Sequence, residues 1–103
     1  LQTMAEYRET FEFPCKDLDI GLVICNAGYG DAFKIVDTPD DYWEGSMKIN
    51  VLHVYYVMKI MSEQLWKRDV RSAMIITSSL AYMLPFPASV PYSSQKRFVT
   101  FLA

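Results

Sequence analysis

A serine, a tyrosine and a lysine in the last quarter of the chain could share one proton network. Tyr92 follows Ser79 by thirteen residues, and Lys96 stands at i+4 from Tyr92, so on a helix the phenol and the ammonium share one face. A free phenol titrates near ~10, and an ammonium about 4 Å away favours the phenolate by roughly 4 kcal/mol at an effective dielectric constant of ~20. The phenol could then exchange a proton near neutral pH, where a general acid works best. The pair also has a plainer interpretation, because i,i+4 pairs of this type often only support a helix.

An apolar run of strand length ends in a small polar turn in the first third of the chain. Residues 19–25 are predominantly apolar, and Asn26, Ala27 and Gly28 follow them directly. A strand that is apolar on both faces is typical of a covered, parallel sheet, and ligands bind at the carboxyl ends of such strands. Gly28 and Gly30 permit either a close approach to a ligand or only a tight change of chain direction.

Two helices are predicted in the first two thirds of the chain. Residues 1–12 have the spacing of a short amphipathic helix, which Pro14 should close. A second helix should begin at residue 39 with Thr38 as its N-cap and continue to about residue 67, with a break near Asn50.

A second apolar strand over residues 73–77 leads to Ser79, and a last helix begins near Pro91. Strand, helix, strand and helix in this order predict right-handed crossovers and a parallel sheet. The loop over residues 80–91 is rich in proline, at positions 85 and 87 among others, and carries three apolar side chains that either line an apolar substrate pocket or pack under a neighbouring loop: Met83, Leu84 and Phe86.

The long helix is apolar nearly all round between residues 49 and 61. One side should therefore pack on the sheet and the other on a partner, for which a second subunit is the natural candidate, with Val54 and Met58 in the interface. His53 is interpreted as a structural or interface residue, since no second metal ligand stands at a useful spacing. Asn50 is unfavourable in a helix interior and costly when buried without partners, so its presence asks for a reason.

Composition limits the function classes. A formal net charge of −2 with no basic run does not suggest nucleic-acid binding. The 103 residues form at most one domain, and the start at Leu1 and the apolar end indicate a segment of a longer protein. Cys15 and Cys25 stand at unrelated positions and are interpreted as buried thiols in a reducing compartment.

Order and spacing together resemble the short-chain dehydrogenase/reductase family. That resemblance implies a three-layer, Rossmann-type, doubly wound parallel sheet, of which residues 1–103 would be the central part of a single domain. The family's glycine-rich turn that holds pyrophosphate and its C-terminal lid are not in these residues. The matching positions are Asn26-Ala27-Gly28 after a strand, Asn50 in a helix, Ser79 at the end of the next strand, and Tyr92 with Lys96.

The resemblance also implies a role for each matching position. Tyr92 would protonate the carbonyl oxygen of the substrate, or remove the alcohol proton in the reverse direction, and Ser79 would hydrogen-bond that oxygen. Lys96 would favour the phenolate and hold the nicotinamide ribose, and Asn50 would place a water in a proton relay from Lys96. Residues 26–28 would shape the floor of the cofactor cleft.

The function expected for the whole protein is NAD(P)-dependent oxidation or reduction of an apolar alcohol or carbonyl compound, such as a steroid or an acyl chain. NADP or NAD would be the cofactor, with NADP favoured, no metal is expected, and the segment alone should be inactive. A homodimer or homotetramer would form through the helices near residues 39–67 and 91–103. Membrane association and the choice between cytoplasm and endoplasmic reticulum stay open. The alternative is a noncatalytic relative that keeps the fold as a scaffold or binding subunit.

Overall fold

A computed structural model describes residues 3–84 and 86–103 of the chain. Five regular elements follow one another: helix α1 (residues 4–15), strand β1 (Leu22–Cys25), helix α2 (residues 40–65), strand β2 (Ala73–Ile76) and helix α3 (Val90–Leu102). Short 3-10 turns at Ile35–Asp37 and Leu80–Tyr82 stand ahead of α2 and α3. The order is the alternation of helix and strand that the sequence predicts.

Strands β1 and β2 pair in parallel, with Leu22 opposite Ala73 and Cys25 opposite Ile76. Their side chains alternate between a face covered by the helices and an open face. The covered face is apolar, and so is the open one, where Ile24 is 56% exposed. Because the two carboxyl ends lie side by side, the residues after Cys25 and after Ile76 meet at one edge of the sheet.

Helix α1 continues past the proline that was expected to close it. It consists of an α-helical turn at Met4–Tyr7, a π-helical turn at Arg8–Glu12 and a last turn at Phe13–Cys15 that contains Pro14. The prediction that Pro14 ends the helix is therefore wrong. A proline interrupts a regular helix because its ring clashes with the carbonyl one turn earlier, and the wider π turn directly ahead of Pro14 relieves that conflict.

Helix α2 is a single long helix with a π-helical turn in its middle, at Lys48–Leu52. No break occurs at the predicted position near Asn50, because the helix continues there and is only widened by one residue. The helix begins at Asp40 with Pro39 as its N-cap, so the prediction for Thr38 is wrong. The Thr38 hydroxyl instead donates to the carbonyl of Lys34 at 2.9 Å, because the preceding 3-10 turn places that carbonyl behind it.

The core lies between the sheet and the three helices, with α2 in the middle. It consists of Tyr7, Cys25, Val54, Val57, Ile60, Met61 and Val99. Val54 is only 3% exposed and belongs to this core, so its assignment to a subunit interface is wrong. The outward stripe of α2 is instead formed by Tyr55, Lys59, Ser62 and Trp66.

His53 packs beside the core, as the sequence analysis expected. Its Nδ1 lies 3.4 Å from the hydroxyl of Tyr7, and its ring lies against those of Tyr7 and Phe11. Burial lowers the pKa of His53, which favours its neutral form. Of the two cysteines, both free, Cys25 is buried as predicted but Cys15 is only half-buried. Within residues 3–84 and 86–103, no helix is long and apolar enough to cross a membrane.

The loop between β2 and α3 presents apolar side chains to solvent. Met83, Leu84 and Phe86 are exposed, while Pro85 lies outside the described residues. A cavity of about 340 Å³ lies beside this loop, between Tyr82, Met83 and the α3 residues Ser93 and Arg97. Neither Ser79 nor Tyr92 lines that cavity.

Candidate active site

The two strand ends are joined directly by side chains. The hydroxyl of Thr77, the first residue after β2, donates to Oδ1 of Asn26, the first residue after β1, at 2.9 Å. This bond fixes the start of the Asn26-Ala27-Gly28 turn to the neighbouring strand. Residues 26–30 are otherwise exposed beyond the edge of the sheet, where a ligand can reach them.

Asn50 in the π-helical turn is fully buried and holds this loop from the other side. Its Nδ2 donates to the carbonyl of Tyr29 at 2.7 Å and to Oε1 of Gln95 at 2.7 Å, and its Oδ1 accepts from the Tyr29 amide at 3.0 Å. Both N–H groups of the carboxamide are therefore in use. The side chain pairs with the backbone of Tyr29 as a neighbouring strand would, which explains why an asparagine stands in the middle of a helix.

Two glycines of the loop make close contacts with the helices. A Cβ at Gly28 would lie 2.8 Å from Oδ1 of Asn50 and 3.2 Å from Nζ of Lys96. A Cβ at Gly30 would lie 2.6 Å from Cγ and Cδ2 of the Tyr92 ring. Real Cβ atoms do not approach other atoms that closely, so both positions favour glycine for reasons of space. The sequence left open an approach to a ligand or a tight change of chain direction, and the structure instead shows close contacts with other side chains of the protein.

Lys96 is a buried lysine, with 4% of its surface exposed. Its Nζ donates to the carbonyl of Thr77 at 2.9 Å and lies 5.7 Å from the centroid of the Tyr92 ring. Burial lowers the pKa of the Lys96 ammonium, because the charged form loses hydration that one carbonyl replaces only in part. An ammonium has three N–H groups, so two remain for other partners.

The two serines after β2 differ in what they bind. The Ser78 hydroxyl bonds to the hydroxyl of Thr100 at 2.5 Å and donates to the carbonyl of Lys96 at 3.4 Å, which ties the strand end to α3. Ser79 is half-buried, and its Oγ accepts from the Ala81 amide at 3.2 Å, so that its own proton stays available. Ser79 is therefore the serine whose hydroxyl can serve another molecule.

Tyr92 lies in the first turn of α3, as the sequence predicted from Pro91, and its ring is half-buried against Gly30. Among the described residues, its hydroxyl has no hydrogen-bond partner. A phenol in this position, with a buried ammonium close to its ring, can donate or accept a proton.

The structure thus brings four of the predicted positions into one packed unit: Gly28, Asn50, Tyr92 and Lys96. Asn26 and Ser79 stand at the ends of the two strands, and Ala27 lies in the exposed turn between Asn26 and Gly28. Two residues of the unit were missed, Thr77 between Asn26 and Lys96 and Gln95 beside Asn50, and the contact of Gly30 with the phenol ring was not foreseen. Gln95 carries no local signal, because neighbouring positions on a helix face different directions, and Arg97 on the other side of Lys96 is exposed. The backbone carbonyl of Thr77, which accepts from Lys96, carries no signal in the sequence.

Within residues 3–84 and 86–103, no three side chains of His, Cys, Asp or Glu stand close enough together to bind a metal ion. The polar groups at the site are a hydroxyl, a phenol, an ammonium and carboxamides, which suit hydrogen bonding and proton transfer.

Comparison with known proteins gives one family. A family model described as short chain dehydrogenase matches residues 2–103. The dehydrogenase/reductase SDR family member 4 of Bos taurus is 30% identical over 78 residues, which is 75% of this chain but 28% of that protein.

Solved structures share the fold. A short chain dehydrogenase/reductase from Burkholderia phymatum in complex with NAD superposes with a TM-score of 0.86 at 19% identity, over 97% of this chain and 36% of its own. A gluconate 5-dehydrogenase from Burkholderia cenocepacia J2315, in complex with NADP and tartrate, gives 0.86 at 21%, over 97% and 39%. These likenesses confirm the predicted fold class, a Rossmann-type parallel sheet of which this chain is a part.

Proposed function

The chain belongs to the short chain dehydrogenase family, and from this premise we propose that it is the central part of an oxidoreductase that transfers a hydride between NAD(P)(H) and an alcohol or carbonyl group. The observation that carries the proposal is the packing of Asn50, Tyr92 and Lys96 around Gly28 and Gly30. The proposal concerns the full-length protein, because this chain spans 28% of the bovine relative's length. Alone, the segment should be inactive.

Tyr92 is the proposed proton donor to the carbonyl oxygen of the substrate, and the proton acceptor when an alcohol is oxidised. Ser79 donates a hydrogen bond to the same oxygen. In reduction, negative charge grows on that oxygen as hydride arrives, and two donors already aimed at it stabilise this charge without reorganising. The half-buried phenol supports the role of Tyr92, and the hydroxyl proton that Ser79 keeps available supports the role of Ser79.

Lys96 is the proposed electrostatic support of Tyr92, since its Nζ lies 5.7 Å from the centroid of the phenol ring. Asn50 has a second role in the proposal, the placement of a water in a proton relay from Lys96. Because both N–H groups of its carboxamide are in use, such a water would donate to an acceptor atom of Asn50. The carboxamide itself holds the Tyr29 backbone, which limits the movement of the loop.

The residues fit a nicotinamide nucleotide, which when bound supplies or accepts the hydride. Lys96 keeps two N–H groups for ribose hydroxyls, and the exposed backbone of residues 26–28 forms a floor beside it. Either NADP or NAD is compatible with these contacts. NADP is favoured in the proposal, and solved relatives with this fold contain NAD in one case and NADP in another.

An apolar substrate, such as a steroid or an acyl chain, is the proposed substrate class. The exposed side chains of Met83, Leu84 and Phe86 support it, because they stand on the loop that joins Ser79 to the helix of Tyr92. The full-length protein is further proposed to form a homodimer or homotetramer through the outward faces of α2 and α3, where Trp66 and Phe101 are exposed.

Replacement of Tyr92 by phenylalanine tests the proposed function. Tyr92→Phe in the full-length protein should bind NAD(H) or NADP(H) as wild type does and lose at least about 100-fold in turnover, because the proton donor is gone. Cofactor binding is measured by fluorescence titration and turnover on a panel of apolar carbonyl compounds. Tyr55→Phe, which loses an exposed hydroxyl on α2, is the matched control and should keep full activity.

The same titration distinguishes the enzyme from a noncatalytic scaffold. If neither nucleotide binds to wild type at millimolar concentration, the scaffold becomes the better account. Equal turnover by wild type and Tyr92→Phe would remove Tyr92 from the chemistry while leaving the family assignment intact.

A further inference from the structure

Gln95 is a buried amide that the proposed chemistry does not use. It lies in α3 directly before Lys96 and is 4% exposed. A carboxamide taken out of water costs free energy unless its donors and acceptor find partners. Gln95 has a partner at each end: its Oε1 accepts from Asn50 Nδ2 at 2.7 Å, and its Nε2 donates to Ser46 Oγ at 2.9 Å.

Ser46 connects this pair to the first part of α2. It is 1% exposed, and its hydroxyl donates to the carbonyl of Trp43 at 3.0 Å. Since that donation uses the one hydroxyl proton, Ser46 can only accept from Gln95. Gln95 of α3 therefore binds α2 at two positions, Ser46 and Asn50. These lie before and after Lys48, the first residue of the π-helical turn.

The direction of these bonds is fixed along the whole chain of partners. The backbone of Tyr29 offers one N–H and one C=O, so Asn50 must turn its Oδ1 to the former and its Nδ2 to the latter. The second N–H of Asn50 then points to Gln95, which must accept it with Oε1. A reversed Asn50 carboxamide would place oxygen against oxygen at both Tyr29 and Gln95. Only one arrangement satisfies every group.

We propose that Gln95 is a positioning residue, which acts through Asn50 to hold the 26–30 loop against Lys96 and Tyr92. The loop approaches both side chains too closely for any Cβ at Gly28 or Gly30. A small movement of Tyr29 therefore changes the surroundings of the Lys96 ammonium and of the Tyr92 ring. Gln95 lies on α3, the helix that carries Lys96 and Tyr92, so its bond to Asn50 fixes the position of the loop relative to both side chains.

The test compares Gln95→Met, which keeps the length of the side chain but forms no such bonds, with wild type in the full-length protein. The inference rests on the proposed function for its kinetic part. We expect kcat for carbonyl reduction to fall on the order of tenfold, because small displacements of reacting groups are costly. KM for the cofactor should change little, and the thermal midpoint should fall, because the buried Nδ2 of Asn50 loses one acceptor. Ser94→Ala, at the neighbouring and exposed position on α3, is the matched control and should behave as wild type.

Hydrogen exchange followed by mass spectrometry gives a readout that needs no activity. Gln95→Met should speed exchange in the peptide that contains Tyr29, although Gln95 does not touch Tyr29, and should leave exchange in β1 unchanged. A protein that neither binds nucleotide nor turns over would refute the proposed function, and this exchange would still decide the role of Gln95. Exchange at Tyr29 equal to that of Ser94→Ala would overturn the inference, as would faster exchange spread along all of α3.

Ser46→Ala provides a second variant in case Gln95→Met does not fold. It removes the acceptor for Nε2 and leaves the bond between Gln95 and Asn50 in place, so kcat should fall by less than in Gln95→Met. The double variant should have the kcat of Gln95→Met alone, since the bond between Ser46 and Gln95 can be lost only once. Effects that multiply independently would show that the two residues do not form one unit.

Discussion

Close contact between the 26–30 loop and Tyr92 makes Gly30 sensitive to the smallest added side chain. In Gly30→Ala the new Cβ would lie 2.6 Å from two ring carbons of Tyr92, so the ring or the loop must move. We expect kcat of the full-length protein to fall on the order of tenfold or more, since a displaced phenol no longer meets the substrate oxygen at hydrogen-bonding distance. Steady-state kinetics on the best substrate of the carbonyl panel measures this.

Gly21→Ala is the control for the same substitution outside the site. The atoms nearest to a Cβ at Gly21 belong to the guanidinium of Arg68, at 3.2 Å and beyond, and the end of a long side chain can give way. Its kcat should match wild type. Equal losses in both variants would mean that alanine acts through stability and not through Tyr92.

At the scale of single residues, the sequence predicts the groups with distinctive chemistry and misses those that matter through contact. Asn50 could be selected because a polar group in an apolar helix is costly, and Lys96 because it stands at i+4 from Tyr92. The importance of Gly30 depends on the Tyr92 ring 62 positions later, a distance that no local pattern contains. Roles in the reaction remain predictions, because neither packing nor fold measures turnover.

At the scale of elements, α1 is tied to α2 by an ion-pair cluster around Glu63. Arg8 of α1 and Lys59 of α2 both contact the Glu63 carboxylate, at 3.3 and 2.8 Å. Hydrogen bonds from Lys59 and then Arg8 lower the pKa of Glu63 from 4.5 to about 2. A carboxyl group with a lowered pKa stabilises the fold above its unfolded value, near 4.5, and loses that contribution as the pH falls toward 2.

Glu63→Gln should therefore destabilise the protein at neutral pH and not in strong acid. The difference in free energy of unfolding between wild type and variant should be constant above about pH 5 and shrink steadily below pH 4.5. Urea denaturation at pH 7, 4 and 3 measures it. Glu9→Gln, at a glutamate of α1 without an ion pair among the described residues, is the control. A difference that stayed the same at all three values would show that the carboxylate charge is not the cause.

Element boundaries show where local patterns stop being sufficient. The sequence indicated that a buried Asn50 needs partners, but it predicted a break where the helix only widens, at Lys48–Leu52. The continuation of α1 through Pro14 could not be predicted, because it depends on a π turn at Arg8–Glu12 that no residue type indicates. Thr38 failed as an N-cap because a 3-10 turn offered its hydroxyl a nearer carbonyl.

At the scale of the whole molecule, the periodicity of the strands predicted the architecture well. Both strands are apolar on two faces, which is typical of a sheet with helices on each side. The described residues cover one face and leave Ile24 and Ile75 on the other about half exposed. Neighbouring apolar side chains on one face of a sheet are rarely left in water. The continuous apolar runs of the two strands therefore fit the complete three-layer fold, in which both faces are covered, better than this part of it alone.

Val54 was wrongly assigned to the interface because α2 is apolar nearly all round. The exposed stripe of α2 gives a sharper test of the proposed dimer. Tyr55 lies on the outward stripe of α2, whereas Val54 next to it lies in the core. In the full-length protein, Tyr55→Asp should shift the sedimentation coefficient from that of a dimer to that of a folded monomer, because a new carboxylate would lose its hydration in the contact between two copies.

Val36→Asp serves as the control, since Val36 is 88% exposed on the 3-10 turn ahead of α2 and outside both helices of the proposed interface. It should stay dimeric. Val54→Asp should instead lose its cooperative unfolding transition, because it places an unpaired charge in the core. A Tyr55→Asp protein that sediments as wild type would rule out this face of α2, and the second copy would then have to bind elsewhere or not at all.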